Sequence, residues 1–133
     1  MKKYERLHPA TKFENIKDMI ENAVKLYPNN NAFIIKHKNG KEVTYENITY
    51  SRFQEEINAL GTGLLNLGLK DKRIAIIGKN CYEWALTYVT TLNGVGVAVP
   101  LDKSLPENEI ELLYMFEKHY LDINHNKNYY HYL

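Results

Sequence analysis

The chain has 133 residues, 44% hydrophobic and 25% charged, with 17 Lys and Arg set against 16 Asp and Glu for a formal net charge of +1. That length suits one ordinary domain with its own core, and the near balance of charge argues against nucleic acid or an anionic membrane as a partner. No apolar run approaches the roughly 18 residues of a spanning helix, no signal-peptide stretch follows Met1 to Arg6, and one cysteine, Cys81, forms no internal disulfide, so a cytoplasmic setting is expected.

After a polar lead-in, Ile16, Met19, Ile20, Ala23, Val24 and Tyr27 recur at helical spacing, with Lys17, Asp18, Glu21, Asn22 and Lys25 on the other side. Thr11 with Glu14, or Asn15 with Asp18, caps the start of this helix, and Pro28 ends it. Residues 32–37 are rich in β-formers, and Asn39-Gly40 signals a hairpin turn with a return strand over about 42–45. A second helix starts near Thr49 or Ser51, Ser51 and Gln54 being able to form a capping box. Its buried stripe is Phe53, Ile57, Leu60, Leu64 and Leu65. Gly61 and Gly63 each cost that helix about 1 kcal/mol against alanine, which suggests close approach to a neighbour. Gly68 terminates it.

A strand–helix–strand unit follows. Residues 73–78 read as a buried strand centred on Ile-Ala-Ile-Ile. Trp84, Ala85, Tyr88, Val89 and Leu92 form a helix stripe that Asn93-Gly94 closes, and residues 95–101 form the second strand. Strands this uniformly apolar suit a parallel sheet covered on both faces, and the crossover is expected to be right-handed. Another helix opens at Pro106, where Glu107 and Glu109 favour its N-terminal dipole.

From His119 onward the periodic pattern stops. Eleven of the last fifteen residues are His, Tyr, Asn or Asp, whose codons differ only in the first base. A shifted reading frame through A/T-rich DNA gives such a run, and so does a biased tail with little order. The domain reading is therefore a partial subdomain over residues 1–113 and an atypical Tyr-, Asn- and His-rich stretch over 114–133.

Two segments carry a family resemblance. Ile48-Thr49-Tyr50, leading into Phe53 and Ala59-Leu60-Gly61, is similar to the Thr-Tyr helix opening of the AMP-forming adenylate ligases. Leu92-Asn93-Gly94-Val95-Gly96-Val97-Ala98-Val99-Pro100-Leu101-Asp102 resembles that superfamily's Leu-x-Gly-x-x-x-x-x-Pro-Leu-Asp segment. Between them, the strand at 73–78, Asn80 and Glu83-Trp84 also fit, and order and spacing agree over about residues 15–113. The flavour is that of the bacterial long-chain fatty-acid–CoA ligases.

The resemblance implies an α/β fold: a mixed sheet with an N-terminal hairpin and a parallel strand–helix–strand unit, as an incomplete part of a large N-terminal domain. It also implies a two-step reaction in the parent protein, acyl adenylation by ATP and then thioester formation on coenzyme A. That chemistry needs a phosphate-cradling loop, Mg²⁺ and cationic stabilisation. The family's Ser/Thr/Gly-rich loop with Pro-Lys-Gly, its aromatic-Thr-Glu segment, its ribose-binding Asp and its catalytic lysine have no counterpart in these 133 residues. The expectation is thus an inactive fragment with no catalytic, cofactor-binding or metal residues of its own, ATP, Mg²⁺, coenzyme A and a fatty acid or other carboxylate belonging to the full-length parent. The rival readings are a non-catalytic module that binds a partner or self-associates through an exposed sheet edge, and a small stand-alone nucleotide-binding protein.

Four local features invite function. Gly78-Lys79-Asn80, at a strand-to-helix junction, is where anions bind, but it lacks any Gly-x-Gly-x-x-Gly or Walker pattern and reads as a connecting loop. Cys81, near a helix N-terminus, has no histidine nearby in sequence to serve as base and reads as a small half-buried residue. His119, His125 and His131 recur every six residues, which does not stack side chains on one helical face, so no metal site is expected. Trp84 and Tyr88, four apart within an apolar stripe, read as core.

Overall fold

The computed structural model describes residues 11–106, 108, 109 and 120–123. The chain is α/β, with an antiparallel hairpin and a parallel strand–helix–strand unit. The first helix, α1 (Ile16–Leu26), is capped by Asn15, whose side chain accepts the Asp18 N–H at 2.9 Å. Of the two caps the sequence offers, the second forms. The helix buries Ile20 and stops before Pro28, which cannot continue it.

Strands β1 (Asn31–Asn39) and β2 (Glu42–Thr49) pair antiparallel from Asn39↔Glu42 back to Asn31↔Thr49, with an irregularity between Asn31 and Phe33. The loop is Gly40 and Lys41 rather than Asn39 and Gly40. Gly40, with φ at 61°, is the first of two loop residues, where a mirror-image hairpin turn needs positive φ. The return strand runs four residues past the expected Tyr45. Glu46 and Asn47 look like loop residues in sequence, yet Glu46 is held inside the ladder by His37 and Arg52, and Ile48 beyond it is fully buried.

Helix α2 (Tyr50–Asn66) is capped by Thr49, whose hydroxyl accepts the Arg52 N–H at 3.2 Å. It ends in a Schellman motif: Leu69 N–H donates to the Leu64 carbonyl and Gly68 N–H to that of Leu65, with Gly68 at φ 77°. Leu64 and Leu69, the two ends of that motif, meet in the core. The expected stripe holds for Phe53, Ile57 and Leu64, with Leu60 half-buried. Leu65 is 42% exposed, because it lies a turn-step around the helix from Leu64. Close approach is the reason for Gly61, where an added Cβ would lie 3.4 Å from Thr90 Cγ2. It is not the reason for Gly63, which faces open space.

Strand β3 (Arg73–Gly78) leads through α3 (Tyr82–Thr90) to β4 (Val97–Leu101), which pairs with it in parallel from Arg73↔Val97 to Ile77↔Leu101. On the other side of β3 lies a second parallel neighbour, β5 (Tyr120–Ile123), so the sheet order is β4-β3-β5. Among the described residues the hairpin and the parallel strands form two separate sheets rather than one mixed sheet. Ile74, Ala75, Ile76 and Ile77 are all buried, so β3 is covered on both faces as its composition requires. β4 starts two residues later than expected. The backbone after α3 widens into a π turn over Thr91–Val95, with Gly94 at φ 109° and the Gly96 N–H donating to the Thr91 carbonyl at 3.0 Å. The helix at Pro106 is described only at its start, where the Glu109 N–H donates to the Pro106 carbonyl at 2.9 Å.

Two apolar clusters result among the described residues. Ile20, Ile48, Phe53 and Ile57 join α1, the hairpin and the first half of α2. Leu64, Leu69, Ile74, Ile76 and Val95 join the second half of α2 to β3 and the π turn. The deepest residues on the α3 side are Thr87, Thr90 and Thr91, not the predicted Trp84, Ala85, Tyr88, Val89 and Leu92, which are half-buried. Thr87 and Thr91 can sit there because their hydroxyls return to their own helix, whereas the buried Thr90 hydroxyl has no partner among the described residues. Thr87 donates to the Glu83 carbonyl and Thr91 to that of Thr87, each at 2.9 Å.

Candidate functional site

In a parallel sheet, all strand carboxyl ends emerge at one edge. The chain goes from β3 to β4 on one side and then crosses to β5 on the other, so the topological switch of this sheet lies between β3 and β5, whereas the ends of β3 and β4 stand side by side at the same edge. A cavity of about 620 Å³ lies at this edge, lined by Gly78, Lys79, Asn80, Trp84, Pro100, Leu101, Asp102 and Lys103. Its size is within the range of small-molecule sites. The Gly78-Lys79-Asn80 loop is therefore one wall of a concavity. The opposite wall is the Pro100-Leu101-Asp102-Lys103 turn, which in sequence stands out only through its Pro-Leu-Asp family motif. The missed signal was topological, since whatever follows β4 must stand beside whatever follows β3.

Charge within the cavity is mixed. Asp102 Oδ1 accepts the Ser104 N–H at 2.8 Å. Hydrogen bonds from the Ser104 backbone and then its side chain hold the Asp102 carboxyl below its ordinary range. It is thus an ionised group turned toward its own loop. Lys79 and Lys103 are exposed on the two walls. Trp84 stacks on Tyr88 with ring centroids 5.2 Å apart and planes 9° from parallel. Both pack against the second apolar cluster, as their spacing suggested, and Trp84 also reaches the cavity.

Cys81 occupies the N-cap of α3, half-buried, without a side-chain capping bond. Burial pushes its thiol up, and the neighbouring Glu83 adds to this, opposite to the shift an activated nucleophile needs. It borders a second, smaller groove of about 330 Å³ with Phe33, Ile35, His37 and Tyr82. His119, His125 and His131 lie outside the described residues. Among the described residues no three His, Cys, Asp or Glu side chains converge on a point that could hold a metal ion.

A polar chain unseen in the sequence ties the hairpin to α2 and α3. His37 Nε2 lies 3.0 Å from Glu46 Oε2, and Arg52 Nη1 donates to Glu46 Oε1 at 2.8 Å. Arg52 Nε donates to Glu56 Oε1 at 2.7 Å, and the Tyr82 hydroxyl donates to Glu56 Oε2 at 2.7 Å. Burial, together with the Glu56 carboxylate, pushes the Tyr82 hydroxyl far above its ordinary value and keeps it a donor. Arg52, then His37, holds Glu46 below its ordinary 4.5. A depressed carboxylate pKa contributes stability above the ordinary value and loses it as pH falls through the folded one. Urea midpoints measured from pH 7 to pH 3 should show wild type above Glu46→Gln near neutrality, the gap closing below about pH 4.5. A gap that persists unchanged at pH 3 would contradict this.

The fold, a hairpin and a parallel unit joined by a long helix, is that of a partial N-terminal domain of the adenylate-forming enzymes. The sequence profile described as AMP-binding enzyme matches residues 20–117, and the chain belongs to that family. The structure resembles IdnL1 at a TM-score of 0.70 and 14% identity, over 92% of this chain and 25% of that one. It resembles a fatty acyl CoA synthetase of Mycobacterium tuberculosis at 0.66 and 21% identity, over 83% of this chain and 21% of that one. It also resembles a fatty acid AMP ligase from Legionella pneumophila at 0.68 and 17% identity, over 84% and 20%. The chain thus spans about a quarter or less of the length of these solved relatives. No curated protein matches it. Among the described residues no helix is long and apolar enough to cross a membrane.

Proposed function

We propose that this chain is the opening part of a cytoplasmic AMP-forming acyl-CoA synthetase, serving there as scaffold. The whole protein joins a fatty acid or related carboxylate to coenzyme A through an acyl-adenylate, using ATP and Mg²⁺. Residues 1–133 do not perform that chemistry by themselves. The observation that carries the reading is the segment 92–102. Its glycines make the π turn and the close crossing onto Lys72, and its Pro-Leu-Asp end forms one wall of the carboxyl-edge cavity.

A triphosphate carries several negative charges, and its cleavage needs metal and cations preorganised around the leaving group. The motifs that supply these in the family have no counterpart in this sequence. ATP–pyrophosphate exchange by the purified chain, with Mg²⁺ and acids from acetate to palmitate, is expected to stay at the blank. Acid-dependent exchange would overturn the scaffold reading. For the parent activity, the decisive observation is the DNA after codon 113 in three frames. A phosphate-loop sequence followed by Pro-Lys-Gly is expected, and its absence from every frame would count against the synthetase.

A further inference from the structure

The carboxyl-edge cavity combines features that neither wall has alone. Its lining includes Trp84, Pro100 and Leu101, an aromatic ring and two apolar side chains. Its rims carry Lys79 from the β3 side and Lys103 from the β4 side. Among the described residues no carboxylate pairs with Lys79. Lys103 has the Asp102 charge close by, but that carboxylate already accepts the Ser104 N–H at 2.8 Å. Asn80 adds an amide able to donate and to accept. The cavity lining therefore combines two exposed lysines with apolar surface and one carboxylate already committed to its own loop.

We infer that this cavity is a binding site for a flat organic anion, a ring lying against Trp84, Pro100 and Leu101 with a carboxylate or phosphate head between Lys79 and Lys103. The volume of about 620 Å³ is ample for one such molecule. Ammonium-to-oxyanion hydrogen bonds are the strong kind, and the apolar wall supplies the burial that free inorganic anions cannot use. Stacking on Tyr88 fixes the Trp84 ring before any ligand arrives, so binding orders little of the protein. The inference stands apart from the synthetase reading, because it concerns only residues of this chain.

Trp84 is the single tryptophan, so fluorescence excited where tyrosine does not absorb comes from a residue that lines this cavity. Titration with phenyl phosphate and with benzoate is expected to give saturable changes, and their order of affinity tells a phosphate-bearing from a carboxylate-bearing ligand. Inorganic phosphate and benzyl alcohol, each with half of the recognised chemistry, should bind about tenfold more weakly or worse. The double variant Lys79→Ala/Lys103→Ala should lose at least about tenfold in affinity, while Asp102→Asn should tighten binding by removing the opposing charge. Both lysines and Asp102 are exposed, so the variants keep the fold, which far-UV circular dichroism checks. The inference is overturned if no probe saturates, if the ring-free and charge-free probes match the aromatic anions, or if the double variant binds as wild type does.

Discussion

Replacing Gly96 by alanine is expected to unfold much of the parallel unit, at a cost of about 3 kcal/mol or more. Gly96 is extended, at φ −174° and ψ −151°, so its backbone conformation is open to any residue. The obstacle is steric. A Cβ there would fall inside the contact distance of the Lys72 carbonyl oxygen, with the Lys72 nitrogen and carbonyl carbon both at 3.2 Å. A main-chain carbonyl cannot swing aside as a flexible side chain can. This one also accepts the Val97 N–H at 2.8 Å, a bond at the start of β4, and the adjacent Asp71 N–H donates to Val95 at 2.7 Å. Relief of the clash thus opens the junction that starts the β3–β4 ladder. Gly63→Ala is the control, since it faces open space within α2 and should stabilise by about 1 kcal/mol through helix propensity. Urea denaturation of the two variants should shift in opposite directions, and a Gly96→Ala midpoint equal to wild type would refute the packing argument.

Phe53→Ala should cost about 3–5 kcal/mol, the usual range for emptying a buried aromatic site. Phe53 is 3% exposed and meets Phe33 edge-on at 5.0 Å between centroids, while Phe33 meets Tyr82 at 5.2 Å. Edge-to-face pairs add to plain area burial. One ring from β1, one from α2 and one from α3 thus lock together, so the cavity left by alanine cannot be closed by moving a single element. The comparison is Leu65→Ala, on the same helix and equally apolar in sequence. At 42% exposure it should cost less than about 1 kcal/mol. Thermal melts decide between the two. Similar losses at Phe53 and Leu65 would mean that α2 packs as the sequence stripe suggests, not as the structure has it.

Elements with one dominant local signal were legible in the sequence. The α1 cap, the Pro28 stop, the apolar β3 and the Gly68 terminus each depend on residues within one turn of each other. What escaped the sequence depended on distant partners. Glu46 belongs to a strand because His37 and Arg52 hold it there, and neither is near it in the chain. Thr87, Thr90 and Thr91 are the innermost residues on the α3 side, and Thr90 packs there against Gly61 of α2, a partner too distant in the chain for the α3 stripe to signal locally. Hydropathy instead favoured Trp84 and Leu92. The family motifs were legible as words, but not as a place. Only the parallel order of β3 and β4 brings Lys79 and Lys103 to the same hollow.

The division of the interior into two clusters along α2 has a mechanical implication. Phe53 and Ile57 anchor its first half to the hairpin, and Leu64 anchors its second half to β3, with Gly61 at the crossing point between them. Either half of the molecule can loosen while the other still grips the shared helix. Backbone amides near the middle of α2 would then be released to solvent only when both grips fail, making them slower than those of the hairpin to exchange their protons with water.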